Sequence, residues 1–208
     1  MSKDRVSMAV VRRLPRYHRY LGELLANDIT KVSSKDLSEK MGLTASQIRQ
    51  DFNCFGGFGQ QGYGYNVEIL YNEIGSILGL DRIKNAILVG AGNLGRALSN
   101  HINFKRRGFQ LVGIFDVSDA VIGRTINGVP VRHVSEIPQL VQETRVDMAI
   151  LTVPKGETIA IVDELIGLGV TGFWNFSNMD IQRDGVCFEN VHLSDSLMTL
   201  CYGMSNEP

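Results

Sequence analysis

The chain has 208 residues, 44% of them apolar and 21% charged, with a formal net charge of −1. That is room for one large domain or two modest ones, with the composition of a globular chain rather than a disordered or fibrous one. No apolar run approaches the roughly 18 residues of a membrane span, no apolar leader core opens the chain, and the three cysteines lack a C-x-x-C spacing, which excludes a disulfide framework and a zinc site. A cytoplasmic protein without membrane contact is expected, with Cys54, Cys187 and Cys201 serving as small buried hydrophobes.

Charge is unevenly spread. Residues 1–56 hold ten lysines and arginines against six acids, while residues 81–208 hold eleven against fourteen. A basic end on an otherwise acidic chain points to an anionic partner there, although a solvated helix face would read the same way. Residues 6–26 read as helix, with Leu14, Tyr17, Leu21, Leu24 and Leu25 at helical spacing, and Pro15 predicts a break or restart. Ser33 and Ser34 are both suitable N-caps for a short helix through Met41. Gly42 supplies a turn, and Thr44 caps a second helix running to Phe52. Two short helices joined through glycine form a helix-turn-helix signature. Ile48 and Phe52 face inward, leaving Ser46, Gln47, Arg49 and Gln50 to reach base edges or phosphates.

Residues 56–65 read GGFGQQGYGY, a tight aromatic-anchored hairpin of the kind that forms the wing of a winged helix, or alternatively a substrate loop. Gln60, Gln61 and Tyr63 are its candidate DNA contacts. Asn66 caps a helix from Val67 to Leu78, and residues 79–84 form the domain boundary.

The second half begins with Ala86-Ile87-Leu88-Val89, an apolar run typical of a buried parallel strand. It leads directly into Gly90-Ala91-Gly92-Asn93-Leu94-Gly95 and then helical residues, the context the dinucleotide fingerprint requires. Gly90 makes the turn, Gly92 lets a pyrophosphate approach the backbone, and Gly95 lets helix and strand pack closely. The phosphates would meet free N–H groups at the helix start. A second strand ends at Asp116, 21 residues beyond Gly95, where a carboxylate accepts from the ribose hydroxyls. Residues 122–131 read as a turn-rich excursion, and Ser135 as the cap of a helix through Glu143. Strands at 146–153, 171–176 and 186–191 alternate with a helix at 156–168. The terminal helix, 193–204, aligns Leu193, Leu197, Leu200, Cys201 and Met204. This alternation predicts an α/β doubly wound parallel sheet. Its ligand crevice lies beyond the strand ends, near Thr152, Val153, Pro154 and Asn175.

An enzyme reading needs a proton donor at the nicotinamide. Lys155 is the best candidate and His192 a poorer one, and neither has an evident partner group. A coenzyme A-binding ligase fragment is the other alternative.

Seven stretches carry a resemblance: Arg13-Leu-Pro-Arg-Tyr17, Ser46-Gln-Ile-Arg-Gln-Asp51, Phe55-Gly-Gly-Phe-Gly59, Gly62-Tyr-Gly-Tyr65, Gly90-Ala-Gly-Asn-Leu-Gly95, Leu151-Thr-Val-Pro154 and Asn175-Phe-Ser177. In order and spacing they resemble the Rex family of redox-sensing transcriptional repressors over nearly the full chain. The resemblance implies a winged-helix DNA-binding domain at 1–80 and a Rossmann domain at 81–192. It also implies a dimerisation helix at 193–208, exchanged onto the partner of a homodimer. The ligands it implies are NADH and NAD⁺, with palindromic operator DNA released when NADH binds; no catalytic residue and no metal are expected. Where the family carries Arg-Lys-Asp, this chain has Arg49-Gln50-Asp51, and Gln60 and Gln61 stand where the family's wing is cationic. The family trio of Arg, Tyr and Asp associated with switching corresponds here to Arg19, His101 and His192. Buried structural roles are expected for both histidines.

Overall fold

In the computed structural model, which describes residues 6–56, 64–101, 104 and 107–205, the first helix breaks where Pro15 demands it. α1 (Met8–Val11) stops short, and α2 (Leu14–Ala26) restarts with the proline in its first turn, where the missing N–H is harmless. After β1 (Lys31–Val32), Ser33 rather than Ser34 caps α3 (Ser34–Met41), through a capping box with Asp36. Those bonds hold the Asp36 carboxyl below its ordinary range. α3 ends at Gly42 in the left-handed conformation, and the Thr44 side chain accepts from the Gln47 N–H to start α4 (Ala45–Asn53).

β2 (Tyr65–Asn66) returns antiparallel to β1, and Asn66 caps α5 (Val67–Ile77). Leu14, Tyr17, Leu21, Ile48, Phe52, Leu70 and Ile74 meet in one core with Leu37 and Val67. Phe52 stands edge-on to both Tyr17 and Tyr65. These elements form a first compact unit, Met1–Arg82; the second is Ile83–Pro208.

The second unit is built on a seven-stranded sheet. Its strands are β3 (Lys84–Val89), β4 (Phe109–Asp116), β5 (Thr125–Ile126), β6 (Val129–His133), β7 (Met148–Leu151), β8 (Gly172–Asn175) and β9 (Cys187–Asn190). The spatial order is β5-β6-β4-β3-β7-β8-β9, parallel throughout except for the β5–β6 pair. Apart from the added β5, this is the doubly wound order, with the chain reversing direction across the sheet between β3 and β7. α6 (Asn93–His101), α7 (Ile137–Glu143) and α8 (Lys155–Gly167) supply the helices. Ile87 and Val89 of β3 face one core with Val162 and Leu165, while Leu88 faces another with Ile114 and Ile150. Burial on both faces is why that run is continuously apolar.

Three local expectations change. The excursion at 122–131 is a β-hairpin: Asn127 and Gly128, with φ of 49° and 78°, make its two-residue turn, and its second strand extends the parallel sheet. His133, not Ser135, caps the next segment, because its ring accepts from the Ser135 N–H ahead of one 3₁₀ turn that leads into α7. All three cysteines are exposed rather than buried; Cys54 follows α4, Cys187 opens the edge strand β9, and Cys201 rides on α9 (Leu193–Ser205). α9 buries none of its residues within its own chain.

Candidate functional site

The glycine loop stands at the carboxyl end of β3, at the topological switch point. Gly90 has φ of +100°, and a Cβ there would come within 2.7 Å of the Thr152 carbonyl oxygen. A Cβ on Gly95 would overlap the Gly90 carbonyl oxygen and press on Thr152 Oγ1. Gly92 is exposed, and a Cβ on it would meet nothing within 4 Å. That open side is where a pyrophosphate approaches a fingerprint loop. Asn93 and Leu94 open α6, and the Asn93 Oδ1 accepts from Arg96 Nη2 at 2.8 Å. Asp116 ends β4 with Oδ2 accepting the Ala91 N–H at 2.6 Å and Oδ1 accepting the Ser118 N–H at 2.8 Å. The acid and the glycine loop, 25 residues apart, are thus one structure.

Thr152 links β3 to β7: its hydroxyl donates to the Gly90 carbonyl at 2.6 Å, across the switch point. Val153 is half-buried, and Pro154 is exposed where α8 starts. Asn175 differs from expectation. It is buried, its amide NH₂ donates to Met179 O and Asn190 Oδ1, and its Oδ1 accepts from Ser177 N and Oγ. All four hydrogen-bonding places of the amide are filled. Its side chain therefore shapes the 176–181 loop rather than reaching outward.

Lys155, the candidate proton donor, is exposed at the start of α8. Arg19 and His101 are exposed within the chain as well, where a buried role was expected for His101. His192 is half-buried at the root of α9, with its ring nitrogens 2.9 Å from Asn178 Oδ1 and from Asp180 Oδ1. Among the described residues no group of His, Cys, Asp and Glu could hold a metal ion.

In the first unit, Ser46, Arg49 and Gln50 are exposed on α4, with Arg49 Nη1 3.2 Å from Ser34 Oγ. Gln60, Gln61 and Tyr63 lie outside the described residues. Gln47 is not free: its Nε2 donates to Asp51 Oδ1 at 3.0 Å. Asp51 is fully buried and also receives Arg13 Nε and Nη2, both at 2.6 Å, and the Tyr17 hydroxyl at 2.7 Å. Burial disfavours the charge of Asp51, but the bonds from Arg13, Tyr17 and Gln47 outweigh it, so the carboxyl sits below its ordinary range. Burial, reinforced by Asp51, pushes the Tyr17 hydroxyl well above its ordinary range, and the bond to Asp51 raises the Arg13 guanidinium further. Arg13, one of the cations of the basic end, is therefore neutralised internally. The sequence carries a trace of this cluster, since Arg13 and Tyr17, and Gln47 and Asp51, are each four apart on a helix.

Two family models match. "Putative DNA-binding protein N-terminus" covers residues 5–53, and the CoA binding domain covers 81–179. The redox-sensing transcriptional repressor Rex of Thermoanaerobacter pseudethanolicus is 53% identical over 206 residues, 99% of this chain and 92% of that protein. The chain belongs to the Rex family. Among solved structures, the Rex-family repressor RSP in complex with β-NAD⁺ and operator DNA superposes with a TM-score of 0.89 at 54% identity, covering 96% of this chain and 92% of that one. RSP in complex with β-NADH superposes at 0.87 and 50%, covering 96% and 94%. Rex membership confirms the α/β architecture and accounts for a glycine-rich nucleotide loop and a helix-turn-helix on one chain.

Proposed function

We propose that this chain represses transcription by binding double-stranded operator DNA through its N-terminal unit, and that NADH releases the DNA by binding the Rossmann unit. The observation that carries the reading is the fingerprint loop joined to Asp116 at the switch point, on the same chain as a capped helix-turn-helix. NADH and NAD⁺ are its ligands, as the RSP complexes support; like its Rex relatives it is a regulator and not an enzyme. Gly90, Ala91, Gly92, Asn93, Leu94 and Gly95 receive the pyrophosphate, Asp116 the adenosine ribose, and Thr152, Val153 and Pro154 line the nicotinamide end. Ser46, Gln47, Arg49 and Gln50 face the major groove, and Gln60, Gln61 and Tyr63 add further DNA contacts. No helix among the described residues is long and apolar enough to cross a membrane, and we assign the protein to the cytoplasm.

NADH and NAD⁺ differ in one charge and in the planarity of one ring, so discrimination arises where that ring sits. An apolar lid favours the neutral ring, because burying the cation costs desolvation. α9 offers such a lid. Leu193, Leu197, Met198, Leu200, Tyr202 and Met204 are all more than half exposed, an apolar surface that a second subunit covers in a two-fold dimer. Leu193 of that subunit then closes the ring site, and two recognition helices read a palindrome. Removal of residues 193–208 is expected to give monomers or insoluble protein by light scattering; a soluble truncated dimer with normal DNA binding would refute the exchange.

The decisive measurement is release of a labelled palindromic operator, with NADH titrated against NAD⁺ at fixed salt. NADH is expected to act at the lower concentration, and equal potency overturns the redox reading. In the same assay Arg49→Ala is expected to weaken DNA binding by ~1–3 kcal/mol, the contribution of a bidentate contact to guanine. Asp116 is expected to hold NADPH at least about tenfold weaker than NADH, since a carboxylate repels a 2′-phosphate. Equal binding of the two would remove Asp116 from the ribose site, and coenzyme A serves as the third ligand in that titration.

A further inference from the structure

A glutamine amide has two unlike ends, and the end it presents decides which base edges it accepts. Gln47 stands one helical turn before Asp51 on α4, with Nε2 3.0 Å from Asp51 Oδ1. Arg13 Nη2 shares that oxygen, while Arg13 Nε and the Tyr17 hydroxyl share Oδ2. Each carboxylate oxygen thus accepts two hydrogens, and its lone pairs are filled. Arg13 keeps Asp51 ionised, and an ionised carboxylate has no hydrogen to give. The amide can therefore meet it only through its NH₂. The other branch of the planar amide, Oε1, is turned away from Asp51, on a helix whose neighbouring Ser46, Arg49 and Gln50 are exposed.

We propose that Asp51 fixes which end of the Gln47 amide faces the major groove, Oε1 with the second Nε2 hydrogen beside it, so that Gln47 selects adenine, whose edge sets an amino group beside an acceptor. Guanine sets acceptors against both places and thymine offers only an acceptor, so on either base Oε1 finds no hydrogen, while cytosine satisfies Oε1 alone. Asp51 acts as a positioning residue: it lies beneath the DNA-reading surface and acts through Gln47. Arg13 and Tyr17 on α2 act one step further back, fixing the carboxylate. The inference rests on α4 being the recognition helix and adds the base class that one of its residues reads.

The test is selection of full-length protein on a randomised palindromic DNA library without NADH, followed by anisotropy titrations of the selected site and its single-base variants. Wild type is expected to show one position per half-site where adenine binds about tenfold better than any other base. Gln47→Met should level that position and leave the others intact. Asp51→Asn, whose amide can face Gln47 with either end, should level the same position. Should Asp51→Asn fail to fold, Gln47→Met carries the test by itself, because it alters a half-buried side chain outside the core. Unchanged base preferences in Gln47→Met, or a Gln47-dependent position occupied by a base other than adenine, would overturn the inference while leaving the repressor reading in place. Failure of the recognition-helix reading looks different, since Arg49→Ala would then bind the selected site as tightly as wild type, and the inference would fall with it.

Discussion

Arg13→Ala is expected to cost about 3–5 kcal/mol of stability. The Asp51 carboxylate is fully buried and the Arg13 side chain is only 23% exposed, so removing the cation strands a buried charge. Tyr17 and Gln47 remain as two neutral donors, too little to offset the desolvation of a buried charge. The effect on pH dependence changes sign. In the wild type the folded carboxyl lies below its unfolded value of about 3.9. Its stabilisation is therefore fully present above that value and is lost as pH falls through the depressed folded one. Without Arg13, burial dominates and the folded carboxyl rises, so the penalty is present at neutral pH and fades on acidification. The gap between variant and wild type should accordingly narrow from pH 7.5 to pH 5. Urea unfolding followed by circular dichroism measures it, while the single tryptophan, Trp174 on β8, reports the C-terminal unit. A loss below about 1 kcal/mol at neutral pH would place the pair in the class of exposed ion pairs.

Gly95→Ala should abolish the nucleotide response. The added methyl would overlap the Gly90 carbonyl oxygen and sit 2.8 Å from Thr152 Oγ1 and 3.1 Å from Leu88 Cδ2. The first obstacle is backbone and cannot swing aside, so α6 must back away from β3 and carry its N-terminal N–H groups off the phosphate position. A loss of about a hundredfold in NADH affinity, ~3 kcal/mol, is expected, and the variant should stay on operator DNA at NADH levels that release wild type. Gly92→Ala makes the contrast. Its methyl meets nothing within 4 Å, so thermal stability should match wild type while NADH affinity drops, because the methyl enters the space the pyrophosphate needs. NADH binding to Gly95→Ala within about threefold of wild type would show that the loop tolerates the displacement.

What the sequence determined by itself is local. Thr44, Asn66 and Pro15 set helix boundaries through bonds made or forbidden within four residues. The alternation of apolar runs and helices specified a parallel sheet, because burial on both faces leaves no polar alternation. The glycine spacing located the loop, because strand, turn and helix are consecutive. Only the tertiary structure decided the rest, since those groups find their partners at a distance. Asp51 lies 38 residues from Arg13, and Thr152 lies 62 from Gly90. In the linear sequence Asp51 merely follows Arg49 and Gln50, and only folding makes it the buried anchor beneath that surface. Asn175, read as a cofactor contact, turns inward because Ser177 and Met179 bind it within its own loop and Asn190 reaches it once β8 and β9 pair. The cysteines read as core because composition counts them as apolar, but exposure is set by which face of a helix or edge strand each one occupies, and in this fold all three fall on the outside.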